Sequence, residues 1–285
     1  MIVDAHAHLW CPSRRQDDIL ILAREPSLAG DAMPDRLLPL MTQYGIGTAA
    51  IIQSAPSLGH SRFCLETAER HERLPAVMGW LDLDSEDFGS EKARATMSQR
   101  FAGIRIMLNR MPEAARVLEP RCVANVRALA RDKCAIELLA MPEHLPLIAD
   151  LANVVDEGLF IVDHAGQPDL RAPDQPEWRA DMRRLAQRSN VLTKVSGLAE
   201  RKGIDWTPRD LQPIVAFLFD NFTAERLMFA TNWPVCDLVG GMGRWIEGLD
   251  EIVTHLGLGR GERTAFYAHT AMRALGANRF RAISG

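Results

Sequence analysis

The chain has 285 residues, of which 47% are hydrophobic and 25% are charged, and its formal net charge is −4. This composition is ordinary for a folded globular protein, and it excludes the strongly basic surface that binds nucleic acid. The length is sufficient for one large α/β barrel, which needs about 250 residues.

Cysteine usage and the N-terminal sequence bear on location. The five cysteines are odd in number and form no C-x-x-C pair, which predicts free thiols in a reducing compartment. The opening sequence, MIVDAHAHLW, lacks the basic and apolar stretches of a signal peptide. No segment has the roughly 18 uninterrupted apolar residues of a membrane span. We therefore expect a cytoplasmic protein with neither a membrane nor a nucleic-acid partner.

Eight short apolar runs, many of them carrying β-branched residues, are typical of buried parallel strands. They lie at Met1–Ala5, Thr48–Gln53, Ala76–Leu83, Gly103–Leu108, Ala135–Ala140, Leu159–His164, Val191–Gly197 and Leu227–Thr231. Amphipathic stretches between the runs predict helices at Asp35–Tyr44, Ser61–Glu72, Arg121–Asp132, His144–Val155, Glu177–Arg188, Thr207–Phe219, Met242–Leu256 and Arg260–Leu275.

Alternating strands and helices predict right-handed βαβ units around a parallel sheet. Eight such units predict a single (β/α)8 barrel domain over residues 1–285. An open doubly wound sheet is the alternative, but no G-x-G-x-x-G follows the first run. The polar stretch Gln167–Trp178, which contains three prolines, is predicted to be a long loop after the sixth strand.

Histidines stand at the ends of two predicted strands. The active site of such a barrel lies at the C-terminal ends of its strands. His6 and His8 end the first strand, and alternate residues of a strand point the same way. His164 ends the sixth strand and completes a group of three. Three imidazoles can hold one Zn²⁺ and leave a coordination position open for water.

Two cations lie inside apolar strands, where a charge is costly unless it is paired. They are Arg105 in GIRIM and Lys194 in LTKVSG, and Glu137 on the fifth strand is a candidate partner. The pattern predicts binding of an acidic small molecule, with an internal ion-pair network as the alternative. Gln53, which ends the second run, and Trp80, which lies within the third, are further substrate-binding candidates.

Asn232 ends the eighth strand in FATNWP, just before a proline. Its amide can orient a water or a carbonyl, but it cannot accept a proton at neutral pH. The candidate catalytic residues are therefore Asn232, His164, His6 and His8.

Seven motifs, in this order and spacing, resemble the amidohydrolase superfamily, and more closely its amidohydrolase-2 branch of metal-dependent TIM-barrel hydrolases. They are IVDAHAHLW, GWLDL, GIRIML, VDHAGQPD, KVSGL, FATNWPVCDL and FYAHTAMRALG. The branch includes L-fuconolactonase, L-rhamnonolactonase and pyrone-dicarboxylate lactonase.

The resemblance implies that His6, His8 and His164 hold a metal or, in metal-free members, contact the substrate. It also implies that Arg105 and Lys194 face the substrate. A binuclear set would need a carboxylated lysine after strand four, where this chain has Arg105, so at most one metal is expected. Lactonases of the branch usually carry an aspartate base at the position of Asn232. Either this residue marks a lineage whose base lies elsewhere, with His164 or Glu137 as candidates, or an original base was altered here.

The resemblance favours hydrolysis of a small lactone, either a sugar aldonolactone or a carboxylated lactone, by water attack on the ring carbonyl. A decarboxylase of the same superfamily acting on an aromatic acid is the first alternative, and a binding protein that has lost catalysis is the second. One divalent metal, Zn²⁺, or a metal-independent site both fit. The expected partner is the small lactone, and self-association into a homo-oligomer stays open.

Overall fold

Eight parallel strands lie side by side in chain order, from β1 next to β2 through to β7 next to β8. The computed structural model describes residues 1–14, 19–172 and 174–283. The strands are β1 (Ile2–Ala7), β2 (Ile46–Ile52), β3 (Ala76–Gly79), β4 (Phe101–Met107), β5 (Ala135–Leu139), β6 (Phe160–Val162), β7 (Val191–Val195) and β8 (Leu227–Phe229). The prediction of a (β/α)8 barrel is confirmed.

The chain returns to β1 just beyond the end of β8, which nearly closes the barrel. The amide of Asn232 donates to the His6 carbonyl at 2.9 Å, and the amide of His8 donates to the Trp233 carbonyl at 2.7 Å. The Asp4 carboxylate adds a side-chain link, because it accepts hydrogen bonds from the amide and the hydroxyl of Thr231. These contacts hold the end of β1 beside the residues that follow β8.

Helices surround the strands. They are α1 (Leu20–Arg24), α2 (Pro34–Gln43), α3 (Leu58–Glu69), α4 (Phe88–Thr96), α5 (Pro120–Arg131), α6 (Leu145–Val154), α7 (Pro176–Ala186), α8 (Leu198–Lys202), α9 (Pro208–Phe222), α10 (Gly241–His255), α11 (Arg260–Thr264) and α12 (Thr270–Ala274), with a π-helical turn between the last two. No helix in the described ranges is both long and apolar enough to cross a membrane.

Three parts of the structure differ from the sequence-based expectations. Helix α4 was not predicted, because Phe88 is its one buried residue and no apolar stripe marks it. Helix α7 begins at Pro176, so the predicted loop at Gln167–Trp178 is shorter at its end, and its Pro173 lies outside the described residues. The single helix predicted at Arg260–Leu275 is interrupted by the π-helical turn.

The barrel interior is apolar in its lower part and polar above. A buried cluster that draws residues from all eight strands includes Ala135, Ile161 and Leu192. The side chains two positions further along the chain from these three residues lie above them, on the same side. They are Glu137, Asp163 and Lys194, and all three are fully buried. The polar layer therefore lies toward the C-terminal ends of the strands, where barrel enzymes carry their active sites.

Candidate functional site

The two histidines of β1 meet at the top of the barrel. His6 Nε2 lies 3.1 Å from His8 Nε2. His8 Nδ1 lies 2.8 Å from the Ile52 carbonyl oxygen, which can only accept, so Nδ1 carries the proton and Nε2 presents a lone pair. Two nitrogens bound to one tetrahedral zinc lie about 3.3 Å apart. The observed spacing is therefore close to that of two ligands of one metal.

His164 reaches the same place from the turn after β6. Its backbone is left-handed, with φ +51°, which turns the chain away from the strand direction immediately after Val162. Its Nδ1 lies 2.8 Å from the Ser196 hydroxyl, and its ring centroid lies 4.6 Å from that of His6. A Cβ on Gly197 would stand 2.7 Å from the His164 ring, so this glycine leaves the room that the imidazole occupies.

A buried charged network lies directly beneath the histidines. The Lys194 ammonium contacts Glu137 at 2.5 Å, Asp163 at 3.5 Å and His6 Nδ1 at 3.2 Å. The Arg105 guanidinium lies 3.5 Å from Asp163. Two cations face two carboxylates, so the formal charges cancel, which is the condition for keeping charges inside a barrel.

The surroundings shift the pKa values of the polar layer. Burial lowers the pKa values of His6 and His8 well below their usual range. The charge of Lys194 adds to the effect on His6, and the charge of Arg105 adds to the effect on His8. Burial also lowers the pKa of His164 to about 4. Burial alone would raise the pKa of Asp163, but the neighbouring His6 and Lys194 hold it well below its usual range. At neutral pH the imidazoles are neutral and Asp163 is ionised.

The carboxyl of Glu137 responds in the opposite direction. Burial and the nearby charge of Asp163 raise its pKa well above the usual range, against the opposing effect of the Lys194 ammonium. Asp163 is thus the stronger acid of the two carboxylates. Both carboxylates approach the His6 ring, Asp163 at 3.3 Å and Glu137 at 3.5 Å from Nδ1.

The polar layer contains a group able to hold a divalent metal. Among the residues described, ligand atoms from His6, Asp163 and His164 all lie within 4.8 Å of one another. His8 joins this group through its contact with His6 Nε2. Neutral imidazoles and an ionised carboxylate are the donors that zinc and similar ions prefer. The donor set fits one such ion, and Asp163 extends the three histidines expected from the sequence.

A cavity of about 220 Å³ opens above the histidines. Four of the predicted site residues line it: His8, Arg105, His164 and Asn232. His6, Lys194 and Glu137 lie below its floor and are fully buried. The structure thus brings seven of the predicted residues together, in two layers.

The other two predicted substrate-binding residues take different positions. Gln53 is fully buried, and its side-chain amide donates to the Arg105 backbone carbonyl at 3.2 Å. The Arg105 guanidinium donates in turn to the Gln53 backbone carbonyl, so Gln53 positions Arg105. Trp80 lines a neighbouring cavity, which shares Met107 and Arg110 with the first one.

Asn232 has an acidic partner that sequence reasoning missed. Its backbone is left-handed, with φ +60°, and its backbone amide donates to the His6 carbonyl. Its side-chain Nδ2 donates to Glu200 Oε1 at 2.9 Å, and both residues line the cavity. Glu200 belongs to the short helix α8, in the sequence LAERK. Its charged neighbours are typical of a solvent-facing helix, and no local signal distinguishes it.

The comparisons with known proteins agree with this arrangement. Residues 3–277 match the amidohydrolase family. The chain is 30% identical over 241 residues to the L-fucono-1,5-lactonase of Burkholderia ambifaria, covering 85% of this chain and 83% of that protein. It is 29% identical over 282 residues to the L-fucono-1,5-lactonase of Burkholderia multivorans, covering 95% of this chain and 94% of that protein.

A solved structure shows the same fold with a metal. A zinc-bound amidohydrolase from Burkholderia multivorans superposes with a TM-score of 0.89 at 28% identity, covering 96% of this chain and 99% of that chain. The barrel, the paired histidines at the end of β1 and the match over nearly the whole sequence lead to one conclusion. The chain belongs to the amidohydrolase family.

Proposed function

We propose that this enzyme opens the ring of a small lactone by adding water to the ring carbonyl. The observation that carries the proposal is the cavity above His8 and His164, which a neutral imidazole pair, an arginine and an amide line together. The names of the two Burkholderia relatives, both L-fucono-1,5-lactonases, support the reaction class.

The cavity walls supply what such a reaction needs from the protein. Its volume of about 220 Å³ is below the roughly 300–1,000 Å³ of sites for drug-sized ligands, which suits a single small ring. Arg105 lines the cavity, and its guanidinium N–H groups can donate hydrogen bonds to a lactone oxygen. Donors fixed in position around a carbonyl stabilise the negative charge that develops on its oxygen during water attack.

We propose that His6, His164 and Asp163, with His8 beside them, hold one divalent ion, and that the ion is Zn²⁺. The zinc-bound Burkholderia structure supports this identity. When bound, such an ion would polarise a carbonyl or lower the pKa of a water. The residues themselves keep the donor set in place: Ile52 fixes the tautomer of His8, and Ser196 hydrogen-bonds to His164.

The charge of the cavity favours a lactone that bears a carboxylate. Four arginines, Arg24, Arg105, Arg110 and Arg201, line it, against the single carboxylate of Glu200 among the described lining residues. Arginine binds carboxylates through paired hydrogen bonds and stays charged at every physiological pH.

A panel of lactones tests the reaction and the substrate class together. Neutral aldonolactones and carboxylate-bearing lactones of equal ring size are incubated with the enzyme, and acid release is followed with a pH indicator. We expect turnover, with higher kcat/KM for the carboxylate-bearing members. Release of CO2 from aromatic acids in parallel assays, without lactone opening, would instead indicate the decarboxylase.

Metal content gives an independent prediction. Replacing His164 with alanine removes one ligand from the donor set, so we expect purified protein to lose its single divalent ion, as measured by elemental analysis. His255→Ala is the matched control, because His255 is exposed on α10 and hydrogen-bonds to its own helix. Two tightly bound ions per wild-type chain, or equal metal content in both variants, would contradict the assignment.

A further inference from the structure

Asn232 occupies the position where the resemblance expects an aspartate base, yet a carboxylate is still present one hydrogen bond away. Glu200 Oε1 accepts from Asn232 Nδ2 at 2.9 Å, and Glu200 lines the same cavity as His8 and His164. The carboxylate comes from α8, which directly follows β7, rather than from the end of β8.

We infer that Glu200 is the general base that takes a proton from the water attacking the lactone, and that Asn232 is the positioning residue that holds its carboxylate. The inference rests on the proposed lactone hydrolysis and assigns that reaction a residue which the sequence did not suggest. In this chain the carboxylate stands at residue 200, one hydrogen bond away from residue 232.

The proton transfers balance over the whole reaction. Glu200 accepts one proton of the water as the water oxygen bonds to the carbonyl carbon. The bond between that carbon and the ring oxygen then breaks. The departing ring oxygen takes the proton back from Glu200 and becomes a hydroxyl group. Lactone and water yield one hydroxy acid, and Glu200 ends ionised as it began.

The hydrogen bond explains why Asn232 is useful here without being a base. The amide N–H of Asn232 fixes one carboxylate oxygen of Glu200 and so holds the carboxylate at the cavity wall. The backbone of Asn232 is itself fixed by its hydrogen bond to the His6 carbonyl at 2.9 Å. Asn232 therefore links the orientation of Glu200 to the strand that carries the paired histidines.

The protonation of Glu200 matches the task. Burial raises its pKa to about 7, against the opposing hydrogen bond from Asn232. A base whose pKa lies near the working pH combines proton affinity with a useful ionised fraction. Since the base must be ionised, the rate should rise as the pH increases through about 7.

The neighbours of Glu200 do not replace it in this role. Cys236, in the turn Val235–Val239, has its thiol pKa raised well above the usual range by burial and then by nearby carboxylates that include Glu200. Asp237 lies in the same turn, and burial raises its pKa against the effect of Arg36. Among the described residues that line the cavity, the other charged or titratable groups are its arginines and the neutral histidines, His8 and His164.

The test measures hydrolysis of a lactone that the wild-type enzyme opens. We expect Glu200→Gln to lower kcat by ~10²–10⁴-fold, the usual contribution of general base catalysis, with a small change in KM. The rise in rate through about pH 7 should disappear in this variant. Glu200→Asp should retain part of the activity and keep a pH-dependent rise.

The matched control is Glu177→Gln, the same substitution at an exposed carboxylate in the first turn of α7. It should leave kcat and the pH profile unchanged. Thermal unfolding of every variant checks that the barrel is intact. A folded Glu200→Gln enzyme with wild-type kcat, or with an unchanged pH profile, overturns the assignment of Glu200 alone. A wild-type enzyme that opens no lactone overturns the proposed function and this assignment with it.

Discussion

Replacing Lys194 with methionine should lower the free energy of unfolding by about 3–5 kcal/mol, the cost of breaking a buried ion pair. The Lys194 ammonium is fully buried and contacts Glu137, Asp163 and His6. Without it, the carboxyl groups of Glu137 and Asp163 stay inside the barrel, and Arg105 is the cation in the described part of the chain that contacts one of them. Methionine is close to lysine in length, so lost packing contributes little and the loss reports the charge.

Chemical denaturation of both proteins measures this difference. Lys202→Met is the matched control, because Lys202 forms a 3.0 Å pair with Asp210 at a position where both side chains are about 30% exposed. Surface pairs of this kind contribute about 0–1 kcal/mol. The double variant Lys194→Met/Glu137→Gln should recover part of the lost stability, since it removes the carboxylate closest to the missing ammonium. A Lys194→Met protein as stable as the Lys202→Met protein would show that the network is not needed for folding.

The barrel was predictable because its main signal is local. Each strand is buried on both faces, so each one is visible as a short apolar run without reference to the rest of the chain. Strand ends were less visible. The sixth run was expected to extend to His164, but β6 stops at Val162, because His164 and Ala165 adopt left-handed conformations. Helix α4 escaped notice since only Phe88 on it is buried.

The candidate site was predictable only in part. Its histidines and Asn232 stand at strand ends, where chain position alone suggests a role. Arg105, Lys194 and Glu137 were visible as charges in apolar strands, and the structure shows the ion-pair network that the sequence left as an alternative to ligand binding. Asp163 carries the same signal, a carboxylate after an apolar strand, and the same reasoning could have found it.

Glu200 is a different case, because nothing near it in sequence marks it. It lies in a five-residue helix that also contains an arginine and a lysine, a composition typical of a solvent-exposed helix. Its hydrogen-bond partner is found only when Asn232, 32 positions later, is brought to the same end of the barrel. Tertiary structure was required to see that the site has a carboxylate where the strand-eight aspartate is absent.

Asn232→Asp alone should not increase kcat at neutral pH if Glu200 is already the base. It would place two carboxylates within hydrogen-bonding distance, and such a pair shares a proton. The first ionisation of the pair then falls below the pKa of Glu200 in the wild-type enzyme, which makes the ionised pair a weaker base. We expect the rise in rate to move to lower pH, with a lower plateau. An increase of ~10²–10⁴-fold would mean that the wild-type site lacked a base.

Exchanging the two groups should restore what Glu200→Gln removes. In the double variant Asn232→Asp/Glu200→Gln, the carboxylate stands at the end of β8 and the amide on α8, so the pair keeps one donor and one acceptor. We expect its kcat to exceed that of Glu200→Gln by about 10²-fold, a lower-end general-base contribution. Such a recovery is non-additive, because Asn232→Asp alone brings no gain, and coupling of this kind identifies two residues that act as one unit. A double variant as slow as Glu200→Gln, with its barrel intact by thermal unfolding, would indicate that the carboxylate of Glu200 serves the fold of α8 rather than proton transfer.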